Sequence, residues 1–259
     1  MGRPIITLTT DFGTRDGYSG AVKGVIKRIN PDAEVVDITH QIEPFDVLSA
    51  AITLNNFYRY FPPGSIHLVV VDPGVGSQRQ PLLLKSEDFY FVGPDNGIFS
   101  FVYQSERLTE MVHLTNKEYF LAELSGTFHA RDVFAPVAAY LSLGVDPKEF
   151  GQTAKEFIKL ILPEPRYAKK MLSGQIIHID GFGNLVTNIS ADLLKRKVTK
   201  IVVGRREIKR IARSYFDIPV KQVGALVGSS GFLEIAANQQ SAQKILKSKI
   251  GTSVKVSFS

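Results

Sequence analysis

The stretch PIITLTTDFGTRDGYSGAVKGVIKRINPDAEVVDITH, residues 4–40, decides the fold. Residues 5–10 are β-branched and apolar, the composition of a buried strand. A turn with Asp11 and Gly13 follows, and Asp16 offers a helix N-cap. Across residues 17–30, Tyr18, Val22, Val25, Ile26 and Ile29 fall on one helical face. Residues 34–39 return to a β-branched run. Strand, helix and strand in this order form a βαβ unit, the building block of α/β folds.

The same rhythm continues outward. Asp46 can cap a helix whose inner face is Val47, Ala50, Ala51, Leu54, Phe57 and Tyr58, and Pro62-Pro63-Gly64 stops it. Residues 66–71 make a continuous apolar strand, as expected where both sheet faces are covered. Residues 82–86 and 89–92 read as a hairpin around Glu87-Asp88, and residues 132–143 as a helix with Val133, Val137, Tyr140 and Leu141 inward. ILPEPRYAKK, residues 161–170, breaks the pattern, because closely spaced prolines disfavour helix and central strand alike. The expected organisation is α/β: an N-terminal α/β sandwich domain over 1–162, a linker over 163–170 and a smaller C-terminal antiparallel β-barrel-like domain over 171–259. That last part is a series of short β-rich segments (175–179, 185–189, 200–203, 207–211, 222–227, 232–236 and 253–258) with one helix at 241–247.

Composition narrows the function classes. The chain has 259 residues, ordinary apolar and charged fractions of 44% and 22%, and no cysteine, which excludes disulfides, thiolate catalysis and zinc–thiolate sites. No apolar run reaches the roughly 18 residues a membrane span needs, and the apolar run at the N-terminus is too short for a secretory segment. The expectation is a cytoplasmic protein. The net charge of +6 is unevenly spread: residues 1–163 carry 14 Lys+Arg against 19 Asp+Glu, a net −5, and residues 164–259 carry 17 against 6, a net +11. Such asymmetry fits nucleic-acid binding or the docking of oppositely charged domains within or between subunits. The densest basic run, 193–213, begins with no aromatic residue through Arg213, and stacking on single strands needs aromatics. This argues against a nucleic-acid partner.

Ligands of open α/β sheets sit beyond the C-terminal ends of the strands. Three turns leave strands there: Thr10-Asp11-Phe12-Gly13, Asp72-Pro73-Gly74-Val75-Gly76-Ser77 and Gly93-Pro94-Asp95-Asn96-Gly97. An Asp after a strand is often only an Asx turn, yet three on adjacent strands would form a cluster. The DPGVGSQR loop lacks the Lys-Ser/Thr of a phosphate-binding loop and has an acid at its front. His129 lies in a polar cluster just ahead of an apolar helix. There is no HExxH and no His pair at helical spacing, so no metal is expected, and a GxSxG nucleophile elbow is missing. Asp180-Gly181-Phe182-Gly183-Asn184 reads first as a glycine-bearing turn, although Asn184 offers both a donor and an acceptor to an adenine edge.

Together these segments resemble the S-adenosyl-L-methionine hydroxide adenosyltransferases, the DUF62 family related to the fluorinases and chlorinases. The resemblance is carried by TTDFG at 9–13, PFDV at 44–47, VVVDPGVGSQR at 69–79, GPDNG at 93–97, TFHARDVFAPVAA at 127–139, IDGFGNLVTNI at 179–189 and VGSSGFLEIAAN at 227–238. It implies hydrolysis of S-adenosyl-L-methionine to adenosine and L-methionine, with S-adenosyl-L-methionine as substrate and no cofactor. It also implies a homotrimer with active sites at subunit interfaces. The family's Asp-Arg-His set maps onto Asp72, Arg79 and His129, and its presence favours water over chloride or fluoride. Ala130 stands where the family has Gly.

The resemblance further implies a site residue by residue. Asp11 holds the ribose diol and Phe45 packs on the adenosine. Asp72 and His129 hold the attacking water, and Arg79 fixes Asp72. Asp180 meets the methionine ammonium and Asn184 the adenine, while Ser229, Ser230 and Glu234 lie in the substrate-binding segment. Ser230 takes the place of an Arg that meets the methionine carboxylate in halogenating relatives. The alternatives are a 5′-halogenase using chloride and a non-catalytic binder of adenosine or S-adenosyl-L-methionine.

Overall fold

A computed structural model describes residues 2–161 and 163–259. The chain divides into two compact units, one ending at Leu160 and the other beginning at Ile161.

The first unit runs β1 (Ile5–Thr10), α1 (Tyr18–Ile29), β2 (Glu34–Thr39), α2 (Val47–Phe57), β3 (Ile66–Val70), β4 (Pro81–Ser86), β5 (Tyr90–Pro94), α3 (Ser100–Ser105), β6 (Leu108–Leu114), α4 (Ala135–Ser142) and β7 (Gly151–Thr153). Among the described residues these strands form one sheet in the order β2-β1-β3-β5-β4-β6-β7. β2, β1, β3 and β5 are mutually parallel, and β4, β6 and β7 are added antiparallel. The C-terminal ends of β1, β3 and β5 therefore lie side by side, which brings the three expected turns to one edge.

Period-two alternation sorts the core. Leu68 and Val70 of β3 join Ile6 and Leu8 of β1, Val22 and Ile26 of α1, and Val137 and Leu141 of α4. Val69 and Val71 face the other way, against Leu54 and Tyr58 and the aromatic rings of Phe91 and Phe99. Both faces of β3 are covered, which is why its sequence is apolar without interruption. Asp46 caps α2 as expected, accepting from the Ser49 N–H at 2.9 Å and the Ser49 hydroxyl at 2.7 Å. Asp16 does not cap α1: the capping position is Gly17, which has no side chain to offer.

The second unit contains β8 (Arg166–Ala168), β9 (Met171–Ile179), β10 (Leu185–Ser190), β11 (Val198–Val203), β12 (Arg206–Ile208), β13 (Ile211–Ala212), β14 (Val223–Val227), β15 (Phe232–Ala237), α5 (Ala242–Leu246) and β16 (Ser253–Phe258). The described strands order as β12-β11-β16-β9-β10-β15-β14-β13, with β8 on β9. Pairing is antiparallel except between β13 and β14. The long strand β9 curls the sheet around a core of Leu172, Ile176, Leu185, Ile201, Leu233, Ile235 and Val256, giving the barrel-like form. Part of the segment read as a linker, 166–168, is ordered as edge strand β8. Pro165 precedes that strand, a position where a missing N–H costs no ladder bond. Among the described residues no helix is long and apolar enough to cross a membrane.

Candidate active site

A cavity of about 390 Å³ opens at the shared edge of β1 and β3. Asp11 and Phe12 line it from the β1 turn, Phe45 from the turn before α2, Asp72 from the β3 turn, and Phe128 and His129 from the segment leading to α4. Asp11, Phe45, Asp72 and His129, far apart in sequence, thus share one wall. Arg79 is not in that wall. It lies behind Asp72 and His129 and touches both.

The wall is built by specific local geometry. Gly76 sits at φ +77, and a Cβ there would come within 2.4 Å of the Gly126 carbonyl oxygen. Only glycine permits this approach, and it draws the Asp72 loop against the segment that carries His129. That segment enters α4 through a π-helical turn, Ala130–Phe134. Such turns cluster at functional sites because they re-aim side chains. Asp132 is wholly buried in it, accepting from the Ser125 N–H at 2.7 Å and from Arg131 Nε at 2.5 Å. Asp132, a member of the polar cluster beside His129, thereby pins the 125–129 loop.

Arg79 organises the polar centre. Its Nε donates to both Asp72 oxygens at 2.9 and 3.0 Å, and its Nη2 donates to Asp72 Oδ2 and lies 3.0 Å from His129 Nδ1. The Arg79 and Asp72 side chains are only 7% and 6% exposed. A buried pair of this kind persists because its charges are matched and hydrogen-bonded. Arginine has no acceptor, so His129 Nδ1 must offer its lone pair, and the neutral ring carries its proton on Nε2. Burial lowers the His129 pKa below its ordinary 6.5, and the Arg79 charge acts in the same direction. The imidazole is therefore neutral at pH 7.

Asp11 is fixed from the side. Its Oδ2 accepts from the Phe45 backbone N–H at 3.0 Å. Phe45 holds the left-handed φ of +69° while its ring stays 69% exposed. A bulky residue rarely adopts that backbone conformation, and strain of this sort is concentrated at binding sites. Phe12, Tyr18 and Phe128 pack beside them with centroids 5.3 to 6.0 Å apart, Phe128 edge to face with both of the others. Phe12 and Phe128 lie inside the quoted TTDFG and TFHARD motifs; Tyr18, read from sequence as part of the helical face of α1, is instead half exposed and lines the cavity. Of the third turn, neither Asp95 nor Asn96 reaches the cavity. Asn96 Nδ2 donates to the Val71 carbonyl at 2.9 Å, bracing the backbone beside Asp72.

The second unit has its own cavity, of about 560 Å³, lined by Phe182, Asn184, Tyr215, Ala237, Gln239, Gln240 and Ser241. Asn184 is among the lining residues. The Asp180 carboxylate forms the turn, accepting from Phe182 N, Asn184 N and Asn184 Nδ2 at 2.8 to 2.9 Å. Glu234 is buried and accepts from the Tyr215 hydroxyl at 2.6 Å. Burial raises the Glu234 carboxyl above its usual range, the Tyr215 hydrogen bond opposes this, and the Asp180 charge adds to it. Ser229 is exposed and Ser230 partly so, in the turn between β14 and β15 and outside the cavity lining. Tyr215 and the Gln239–Ser241 segment were not anticipated, because nothing in their local sequence marks them beyond turn composition.

Comparison with known proteins places this geometry. The SAM hydroxide adenosyltransferase N-terminal domain matches residues 6–151, and the C-terminal domain of the same family matches residues 174–255. The chain belongs to the SAM hydroxide adenosyltransferase family. It is 36% identical to the (R)-S-adenosyl-L-methionine hydrolase of Methanocaldococcus jannaschii, over 93% of this chain and 91% of that one. It is 34% identical to the enzyme of the same name from Thermus thermophilus, over 98% and 99%. A fluorinase of an Actinoplanes species is more distant, at 26% over 92% of each chain. A solved structure of an uncharacterized conserved protein from Thermotoga maritima superposes with a TM-score of 0.90 at 38% identity, covering 97% of this chain and 99% of that one.

Proposed function

We propose that the first-unit cavity is where this enzyme hydrolyses S-adenosyl-L-methionine to adenosine and L-methionine. The observation that carries the assignment is the Asp72–Arg79–His129 chain backing one cavity wall. Hydroxide, or water that passes its proton by way of the Asp72 carboxylate to solvent, attacks the 5′ carbon in line with the sulfonium sulfur. The new C–O bond forms as the C–S bond breaks, the bonding pair stays on sulfur, and methionine leaves as a neutral thioether. Departure therefore needs no general acid. Attack by an anion on a cation disperses charge, which a water-poor cavity favours once the nucleophile is aligned.

The chain's residues divide the work. Asp72, held by Arg79, accepts a hydrogen bond from the nucleophile and orients it. His129 has one donor left, its Nε2–H, suited to a hydroxide oxygen. Its Nδ1 is engaged by Arg79, so His129 positions the nucleophile rather than removing its proton. Asp11 accepts from the ribose diol and Phe45 packs on the nucleoside. Asp180, Asn184, Ser229, Ser230 and Glu234 serve the adenine and the amino-acid portion. The family resemblance supports a homotrimer in which neighbouring copies share each substrate, and the opposite net charges on the two parts of the chain suit docking between copies. The relatives' names support the (R) configuration at the sulfonium centre as the form consumed.

Kinetics test the roles. Asp72→Asn and His129→Gln are expected to lower kcat by about 100-fold or more with little change in KM, the scale of a lost positioning or proton-handling group. Asp11→Ala is expected to act mainly on KM. Full activity in Asp72→Asn contradicts the assignment. Supplying the two sulfonium epimers separately tests the stereochemistry: only the (R) form should be consumed.

A further inference from the structure

We infer that His40 is the positioning residue for Asp11 and thereby sets the enzyme's demand for an intact ribose diol. His40 follows β2 and is 6% exposed, so its ring is enclosed rather than free in solvent. It grips the Asp11 turn on both sides. On the near side, His40 Nδ1 lies 2.8 Å from the hydroxyl of Thr10, which is itself fully buried. On the far side, the His40 carbonyl accepts from the Gly13 N–H at 2.7 Å. The Thr10 hydroxyl oxygen also accepts from the Phe12 N–H at 3.3 Å. Asp11 is thus bracketed by three contacts, two of them to His40 and the third within the turn, from Phe12 to Thr10.

The ring is oriented from outside. His40 Nε2 lies 3.2 Å from Asp37 Oδ1, and Lys23 Nζ donates to Asp37 Oδ2 at 2.5 Å. The Asp37 carboxylate stands beside Nε2 without a well-formed hydrogen bond to it, and Nδ1 is the ring atom that meets the Thr10 hydroxyl. A chain of polar contacts therefore runs from the surface at Lys23 to the base of the Asp11 turn. The stretch after His40 completes the clasp: Gln41 Nε2 donates to the Thr14 hydroxyl at 3.3 Å, and the Phe45 N–H meets the Asp11 carboxylate. A carboxylate discriminates a vicinal diol only if its two oxygens are held at the right angle; the bracket fixes the turn that carries Asp11, and the Phe45 N–H fixes Oδ2.

The inference rests on Asp11 receiving the ribose, and the test separates the two. Binding of adenosine and of 2′,3′-dideoxyadenosine is measured by calorimetry on the intact protein. The wild type is expected to prefer adenosine by about tenfold or more, the worth of hydrogen bonds to a charged group. His40→Asn places a polar atom where Nδ1 was, and its preference should stay within about threefold of wild type. His40→Gln reaches the Nε2 position only, and Thr10→Val removes the hydroxyl at nearly constant volume. Both should lose most of the preference, through weaker adenosine binding and unchanged dideoxyadenosine binding. A full preference in His40→Gln and Thr10→Val overturns the inference. Equal weakening toward both ligands also overturns it, since that marks a purely structural role. A wild type without preference, unaltered in Asp11→Asn, removes the ribose role of Asp11 and the inference with it.

Discussion

Arg79 is the residue on which the proposed chemistry turns, although it does not line the cavity. It neutralises Asp72, and by donating to His129 it dictates which ring nitrogen carries the proton. Its cation also helps to lower the His129 pKa. A definite pH dependence follows. Above its depressed pKa the ring is neutral and accepts from Arg79. As pH falls through that value the ring charges, faces a guanidinium and loses the contact. The acid limb of kcat/KM is expected below pH 6.5, and in Arg79→Gln it should move up toward 6.5 while the plateau falls. A limb that stays in place in Arg79→Gln contradicts the coupling. Much of this was legible in the motifs, since Asp72, Arg79 and His129 can be picked out from sequence. Their order in space was not, because a side chain seven residues away in a loop can face its partner from either side.

At the scale of elements, β1, α1, α2 and β3 follow the hydrophobic pattern because each is buried along at least one face, whereas β2, an edge strand, is only partly buried and is marked by its β-branched run. The region 100–114 escaped that reading for a physical reason. α3 spans six residues, too few for a helical period to show, and β6 mixes Thr109, Glu110 and His113 with its apolar positions. The π-helical entry to α4 is likewise invisible in a pattern that assumes one period. β3 holds another concealed feature. His67 is enclosed by Phe57, Tyr58, Phe61, Phe89 and Phe91, and its Nδ1 meets the Thr7 hydroxyl at 2.9 Å. Burial depresses its pKa to about 3 from the ordinary 6.5. Between those values the unfolded chain binds a proton that the fold refuses, so stability falls as pH drops below 6.5. The slope is about 1.4 kcal/mol per pH unit for this one group. Denaturant midpoints at pH 7 and pH 5 should therefore diverge less in His67→Gln than in the wild type. Equal divergence contradicts the burial argument.

At the scale of the whole molecule, the charge split between the two parts of the chain was apparent from composition alone. The parallel edge that gathers the three turns required the strand order, which no local pattern specifies. The proposed homotrimer joins acidic to basic surfaces, and such association weakens with salt. Light scattering is expected to give a three-chain mass at low ionic strength and a shift toward smaller species as salt rises. A monomer at every salt concentration contradicts it. The most direct test of the hydrolytic assignment is one incubation with S-adenosyl-L-methionine in ¹⁸O-water containing chloride, read by mass spectrometry. The expected products are free methionine and adenosine carrying ¹⁸O at its 5′ hydroxyl. A 5′-chlorinated nucleoside, or adenosine without the label, would contradict attack by water at that carbon.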